Sequence, residues 1–254
     1  MIKVVLNGAL GRVGGIVARE IDAADDLVLS GAVEAAGHKD IGSAVCGIET
    51  TSDLPAALAG ADVAVDFTAP ESAASFFEAC AAADVAAITG TTGLSHQQIN
   101  RAREISGSIP VLISPNMSLG VNLLFKVTED IARALPGFDI EITEIHHNRT
   151  KDAPSGTAVK LAEAALKARA GANVIHGRQG MIGERPPGEI GMHSLRGGDV
   201  TGEHTVVFAG EGERVELTHR AHSRRTFAMG TLSAIRFIAG KQAGFYKMSD
   251  VLGL

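Results

Sequence analysis

The segment VVLNGALGRVGG constrains the fold more than any other part of the chain. An apolar, β-branched run ends in Gly8, Gly11 and Gly14, and a helix-forming stretch follows at once. Glycine has no Cβ, so a strand ending this way can turn tightly into a helix and bring backbone N–H groups against a pyrophosphate, whose charge the helix dipole favours. The spacing is Gly-x-x-Gly-x-x-Gly, a variant of the usual dinucleotide fingerprint, and glycines at such a turn also occur for steric reasons alone. Their place directly after the first strand gives the nucleotide reading its weight. It makes the turn of Gly8, Gly11 and Gly14 the first expected cofactor contact.

An acid suited to such a turn is present. Glu34 closes the next apolar run, about twenty residues past the glycines, where a carboxylate can accept hydrogen bonds from an adenosine ribose. A solvated glutamate at a strand end is the plain alternative. Ala35 and Ala36 bring no cation for a 2′-phosphate, and His38 and Lys39 come only afterwards, so the segment favours NADH over NADPH.

Up to residue 116, apolar runs of strand length (IKVVLNG, LVLSGAVE, DVAVDFT, DVAAITG, IPVLIS) alternate with helix-forming segments such as PESAASFFEACAAA and SHQQINRAREIS. That alternation predicts an α/β fold with a parallel, Rossmann-type sheet. Pro70 suits a first helical turn and Ser95 an N-cap. Two turns, TGTTG (Thr89 to Gly93) and SPN (Ser114 to Asn116), follow the fourth and fifth strands at the ends where such a sheet meets its ligand, and are expected to flank the nicotinamide. They are further expected cofactor contacts, and they also fit ordinary turns.

Beyond SPNMSLGVN the pattern changes. An amphipathic helix from Gly120 to Leu135 precedes the alternating strand FDIEITEIHH, a helix SGTAVKLAEAALKARA, a Gly- and Pro-rich loop, and two long alternating segments, MHSLRGGDVTGEHTVVFAG and ERVELTHRAHS. Two domains are expected: a dinucleotide-binding domain over 1–116 and 227–254, and a second α+β domain over 117–226. The second should hold a mixed or antiparallel sheet whose terminal strands suit oligomerisation. The last helix, RTFAMGTLSAIRFIAG, should return to the first domain.

Composition narrows the function. With 45% hydrophobic residues among 254, the chain can bury a real core. Its 23 Lys and Arg against 29 Asp and Glu, a net charge of -6, give no general field for nucleic acid or an anionic membrane, so an anionic substrate needs locally placed cations. Cys46 and Cys80 lack metal-ligand spacing and are too few for a disulfide framework. There is no signal-peptide pattern and no apolar run near the ~20 residues of a spanning helix, so a soluble, cytoplasmic protein is expected.

The segment HHNRTKDAPSGTA, His146 to Ala158, concentrates the candidate chemistry. Most of the nine histidines fall between His146 and His222, and His176, His193, His219 and His222 read as ordinary structural residues. His146 and His147 differ, because they close a strand just before a helix start. Adjacent strand residues point to opposite faces, so one imidazole can face a cleft and the other a neighbouring layer, unless the chain turns into a loop there. An imidazole, with an unperturbed pKa of ~6.5, suits proton transfer near neutrality. No His, Cys or carboxylate set stands at metal-ligand spacing with the pair, so no metal is expected. Pro154 and Ser155 fall at helix N-terminal positions, so N–H groups around Gly156 and Thr157 can receive a carboxylate. Simple capping by Ser155 or Thr157 explains the same residues and is compatible with that role.

Taken in order, GALGRVG, DFTAPE, GTTG, SPNMSLGVN, EIHHNRTKDAPSGTA, GERPPGEIGMHSLRGGDVTGEHTV, ERVELTHRAHSRRTFAMG and GFYKMSDVLGL resemble the bacterial dihydrodipicolinate reductases, from near the first residue to the last. These are pyridine-nucleotide enzymes of diaminopimelate and lysine synthesis. The resemblance implies that NADH or NADPH reduces 4-hydroxy-tetrahydrodipicolinate, or the dihydrodipicolinate formed from it by loss of water, to tetrahydrodipicolinate. It also implies a homotetramer assembled through the sheets of the second domains. The family's proton-donating histidine falls on His146 and its substrate-contacting histidine on His147. The grip on a substrate carboxylate falls on Ser155, Gly156 and Thr157, and cofactor contacts on Gly8 to Val13, Glu34, Gly90 to Thr92 and Ser114 to Met117. The expected arrangement lays the nicotinamide across the strand ends while the second domain closes over it.

One position departs from the family. The lysine credited there with proton donation and substrate binding is here Thr150, with Lys151 one step later. A threonine carries no charge and is a poor acid at neutral pH. Three accounts stay open: Lys151 takes over through an altered loop, the lysine was replaced on purpose, or the chain binds nucleotide and dicarboxylate but reduces poorly. Arg149 and Lys160 are the other nearby cations. A Rossmann dehydrogenase acting on an unrelated carbonyl is a further alternative, and it would leave HH and DAPSGTA purely structural.

Overall fold

Alternating parallel strands and helices fill the first part of a computed structural model that describes residues 1–254. They are β1 (Ile2–Asn7), α1 (Gly14–Asp22), β2 (Leu27–Val33), β3 (Ala44–Val45), β4 (Ile48–Thr51), α2 (Leu54–Ala57) and β5 (Val63–Asp66). A 3₁₀ turn (Pro70–Ser72) then runs into α3 (Ala73–Ala83), followed by β6 (Ala86–Thr89), α4 (His96–Ile105) and β7 (Pro110–Ile113). Next come α5 (Leu119–Ala134), β8 (Asp139–His146), α6 (Gly156–Ala168), β9 (Asn173–His176), β10 (Glu189–Arg196), β11 (Glu203–Gly210) and β12 (Glu213–Arg220). The chain ends with α7 (Arg225–Ile238), β13 (Gly244–Tyr246) and α8 (Met248–Leu252). It divides into two compact units, Met1–Leu119 with Arg224–Leu254, and Gly120–Ser223.

The first unit is built on an eight-stranded sheet ordered β13-β7-β6-β5-β1-β2-β4-β3. Every pair is parallel except the short β3–β4 ribbon. Alternate residues of β1 and β5 pack on opposite faces, as period-2 side chains must. Val4, Leu6, Val63 and Val65 meet Val17 and Ile21 of α1 and Leu232 and Ile235 of α7, whereas Val5 and Ala64 meet Phe76 and Phe77 of α3. The strand order reverses between β1 and β5, so their carboxyl ends flank the switch point at which doubly wound sheets bind ligands. Ser95 caps α4 in a full capping box with Gln98. Pro70 opens the 3₁₀ turn that leads into α3.

Gly230 explains how α7 reaches its place. A Cβ there would lie 1.7 Å from the Met117 carbonyl oxygen, so only glycine lets the helix backbone seat against that turn. The strands β3, β4 and β13 were outside the expected set. They are short, and β13 exists through its pairing with β7, a contact between distant parts of the chain that no local pattern announces.

The second unit carries a five-stranded mixed sheet ordered β12-β11-β8-β10-β9. Here β10 is parallel to β8 and β9, and β11 is antiparallel to β8 and β12. The segment MHSLRGGDVTGEHTVVFAG, expected as one long run, is therefore the end of β10 and all of β11. Both strands flank β8 in opposite directions, so the chain must reverse through GGDVTG between them. One face of the sheet, with Ile140, Ile142, Ile190, Met192, Val206 and Phe208, packs on Leu161, Ala162 and Ala165 of α6 and Leu124 of α5.

The other face is organised by Glu141. Burial would raise its carboxyl, but hydrogen bonds from Arg178, His193 and Arg185 outweigh that and hold it at about 2. Gly191 on β10 makes the room, since a Cβ there would fall 1.7 Å from Glu141 Oε2. Arg178 and Arg185 thereby tie the loop after β9 to this face. No helix of the chain is long and apolar enough to cross a membrane.

Candidate active site

In the first unit the glycine turn is a steric cradle. Gly8 sits at φ +85° and a Cβ there would meet the Phe67 carbonyl oxygen at 2.6 Å, while a Cβ on Gly14 would come within 2.0 Å of the Gly8 oxygen. The start of α1 is thus folded directly onto the turn, with buried Ala9 and half-buried Leu10, Gly11 and Val13 around exposed Arg12. Val13 holds the N-cap position of α1 without a side-chain cap. Glu34, just past β2, accepts from Leu10 N at 3.2 Å and Ala35 N at 3.0 Å, so its carboxylate is held beside the turn. The tight glycine turn at a helix start and the carboxylate held beside it are the kinds of group that a dinucleotide's pyrophosphate and ribose would need.

A buried carboxylate ties neighbouring strand ends together. Asp66, fully buried at the end of β5, accepts from Asn7 Nδ2 (2.9 Å), Thr68 Oγ1 (2.6 Å), Thr89 Oγ1 (2.8 Å) and Thr91 Oγ1 (2.7 Å). Gly90 is needed there because the Phe67 ring occupies its side-chain space, with ring carbon Cε1 2.2 Å from where a Cβ would be. Thr92 is exposed beside this turn. Ser114 donates to the Asn116 carbonyl at 2.7 Å and Asn116 Oδ1 accepts from Ser118 N at 2.9 Å, which shapes the turn between exposed Pro115 and buried Met117.

The second unit gathers its polar residues at one end of the sheet. Ile140, Ile142, Glu144 and His146 share a face of β8, so the apolar core row ends in a carboxylate and an imidazole. In register beside Glu144 stand His204 on β11 and Ser194 on β10. Glu144 has no exposed surface. His146 Nδ1 bonds to its carboxylate at 2.5 Å, Arg196 Nη1 donates to it at 2.9 Å and Ser155 N at 3.3 Å. Burial raises the Glu144 carboxyl, but the hydrogen bonds from His146, Arg196 and Ser194 overcome this and leave it below its ordinary value. An ionised carboxylate only accepts, so His146 Nδ1 carries the proton of that bond and its Nε2 takes no part in it. A Cβ on Gly202 would lie 3.0 Å from this Nε2, so glycine keeps that side of the ring uncrowded.

Ser155 is the N-cap of α6, accepting from Ala158 N at 3.3 Å, and its Oγ also lies 3.2 Å from His204 Nε2. Exposed Gly156 opens the helix and half-buried Thr157 follows. The sequence reading thus finds His146, Ser155, Gly156 and Thr157 in one cluster. His147 lies just past the end of β8, and its Nδ1 is 3.0 Å from Thr150 Oγ1. Thr150 is engaged with that imidazole, and Lys151 is exposed. Glu144, Arg196 and His204 were missed. The signal for Glu144 is its parity: an acid on the same alternate positions as Ile140 and Ile142 is an acid facing the core.

Family models described as dihydrodipicolinate reductase match residues 2–117 (N-terminus) and 120–252 (C-terminus). A 4-hydroxy-tetrahydrodipicolinate reductase of Anaeromyxobacter sp. (strain Fw109-5) is 51% identical, over 100% of this chain and 98% of the relative. One of Syntrophotalea carbinolica is 46% identical, over 100% of both chains. Among solved structures, a dipicolinate-bound dihydrodipicolinate reductase from Paenisporosarcina sp. TG-14 superposes with a TM-score of 0.80 at 24% identity, over 97% of each chain, which shows the shared fold.

The buried cluster makes a testable demand on stability. Glu144→Gln leaves the Arg196 guanidinium without its counter-charge and should cost about 3 kcal/mol near neutral pH. Because the folded Glu144 carboxyl lies below its ordinary value, its contribution is complete above the ordinary carboxylate range and is lost as pH falls through the folded value. Unfolding of both proteins in urea at about pH 7 and about pH 3 should therefore show the gap closing in acid. A gap that stays constant would remove Glu144 from the acid response.

Proposed function

This chain belongs to the dihydrodipicolinate reductase family, and on that premise we propose that it uses NADH to reduce 4-hydroxy-tetrahydrodipicolinate to tetrahydrodipicolinate, with His146 as the proton donor. The observation that carries this reading is the His146–Glu144 pair at 2.5 Å, whose carboxylate also accepts from Ser155 N at the capped start of α6. When bound, a dihydronicotinamide would supply the hydride to the unsaturated ring that loss of water from the substrate leaves, and the reduction then needs one proton from the protein.

The remaining steps fall to side chains. Glu144 holds His146 by Nδ1, so the ring presents Nε2 for proton donation. The start of α6 at Ser155, Gly156 and Thr157 offers a helix N-terminus to one substrate carboxylate, and His147 contacts the substrate beside it. Gly8 to Val13 receive the pyrophosphate, Glu34 the adenosine ribose, and Gly90 to Thr92 with Ser114 to Met117 the nicotinamide end. We further place the protein in the cytoplasm as a homotetramer formed through the second unit's sheet. Both cysteines are free thiols, which suits a reducing compartment. The sheet face opposite the α6 core carries half-buried Ile145 and Val207 and partly exposed Leu195.

Thr150 does not favour the impaired reading. Its hydroxyl partners His147, and the family match spans both units. Neither observation points to lost activity.

Three measurements test this reading. His146→Gln should lower turnover about 10²- to 10⁴-fold while NADH affinity measured by titration stays within about twofold. Normal turnover would remove His146 from the chemistry. Assayed beside the unaltered chain, Thr150→Lys should change kcat/KM by less than about tenfold; a gain of about a hundredfold or more would instead establish an impaired reductase. Steady-state kcat/KM should favour NADH over NADPH, and Glu34→Ala should shrink that ratio by at least about fivefold. A ratio indifferent to Glu34 would overturn its ribose assignment.

A further inference from the structure

His204 is a buried histidine that neither the sequence reading nor the proposed chemistry uses. It is 4% exposed, its Nε2 lies 3.2 Å from Ser155 Oγ, and its ring stands edge-on to His146 with centroids 5.2 Å apart. Its Nδ1 is buried without a hydrogen-bond partner. Ser155 Oγ already accepts from Ala158 N, so the two possible tautomers of a neutral His204 have different consequences. If Nδ1 carries the proton, a donor is buried with no acceptor, while the Ser155 hydroxyl proton is spent on Nε2. If Nε2 carries it, His204 donates to Ser155 Oγ, the unpartnered atom is only an acceptor, and the serine hydroxyl keeps its proton to give. Orphaned buried N–H groups are rarer in folded proteins than under-used acceptors, so the second arrangement is the stable one.

We propose that His204 is a positioning residue, which by donating from Nε2 to Ser155 Oγ turns the Ser155 hydroxyl into an obligate donor to a ligand carboxylate at the start of α6. The inference rests on the reading of that helix start as a carboxylate site and adds the group that sets its polarity. Burial, the positive character of His146 and then the proximity of His219 depress the His204 imidazole, while Glu144 pulls the other way; the outcome is about 4. A neutral ring with a single N–H is what the arrangement requires, and it also spares His146 a second cation at its edge. A hydroxyl with both lone pairs occupied by Ala158 N and His204 Nε2 cannot accept from a protonated acid or an amide. It can only donate, which suits a carboxylate oxygen.

The test uses dipicolinate as the probe, with binding titrated in the presence of NADH. His204→Phe keeps a ring against His146 and removes the donor. It should weaken dipicolinate about tenfold, the loss expected for one hydrogen bond to a charged group, and leave NADH affinity unchanged. His204→Gln, whose amide can donate to Ser155, should stay within about threefold of the unaltered chain. In a Ser155→Ala background, His204→Phe should cost nothing further, because it acts through the hydroxyl. Additive losses, or a His204→Phe variant that binds dipicolinate normally while Ser155→Ala does not, overturn the role of His204 alone. If Ser155→Ala binds normally, the carboxylate site at α6 fails and this inference with it. Should His204→Phe not fold, the imidazole nitrogen NMR signals of His204, assigned by their loss in His204→Gln, decide the matter. A protonated Nε2 supports the proposal and a protonated Nδ1 overturns it.

Discussion

Glu144 has to carry a charge where no water reaches it, and the second unit is arranged so that the fold answers that charge from every side. An isolated carboxylate in such a place would protonate rather than pay several kcal/mol of desolvation. Here β8 supplies the acid, β10 supplies Arg196 and Ser194, the chain before α6 supplies Ser155 N, and the end of β8 supplies His146. These groups meet only if β8, β10 and β11 keep their register, because a slip of one residue sends every alternate side chain to the other face. Sheet pairing and the orientation of His146 are therefore one constraint. The tautomer of His146 follows from it, and with the tautomer follows which nitrogen is left for chemistry.

The first unit uses the same device for a different end. Asp66 is also fully buried and also answered by several donors, but these are hydroxyls and an amide rather than a guanidinium and an imidazole. Neutral donors fix geometry without adding charge. The carboxylate gathers the ends of β1, β5 and β6 with the turns that follow, at the switch point of the sheet. Around it, Gly8, Gly14 and Gly90 are positions where a Cβ would strike backbone or the Phe67 ring. The polar centre is saturated, and the glycines stand where the fold's own backbone or aromatic ring already fills the side-chain space.

Much of this was legible in sequence, for physical reasons that also mark where legibility stopped. The glycine turn and Glu34 are local or set at a fixed spacing along one βαβ unit, so the pattern itself locates them. Ser155 and Ser95 were readable as N-caps because capping is decided within a single turn of chain. The strands β9 and β13 were not readable, since each depends on a neighbour far away in sequence. MHSLRGGDVTGEHTVVFAG looked continuous because both of its strands alternate, and the reversal through GGDVTG is dictated by the two opposite pairings with β8. His204 was invisible for a related reason: on β11 it is one polar residue in an alternating strand, and only the register with Glu144 and the nearness of Ser155 give it a role. Glu144 alone had left a trace, as an acid on core parity beside Ile140 and Ile142.

Thr150 shows how a local sequence departure is weighed by the structure around it. In isolation, losing a lysine from a site for a doubly negative ligand removes a whole charge, and no hydroxyl replaces that. Yet in the proposed site a dicarboxylate would not rest on one cation. The start of α6 would contribute the positive end of a helix dipole, and His147 an imidazole whose Nδ1 meets the Thr150 hydroxyl. A lysine at this position would add charge but could not hold His147 Nδ1 in the same way, because an ammonium only donates and would force the imidazole to accept. With threonine the hydroxyl can donate or accept, so His147 is free to use either tautomer toward a ligand. The substitution thus exchanges a fixed positive charge for an adaptable histidine, and the cluster around Glu144, which orients His146, is untouched by the exchange.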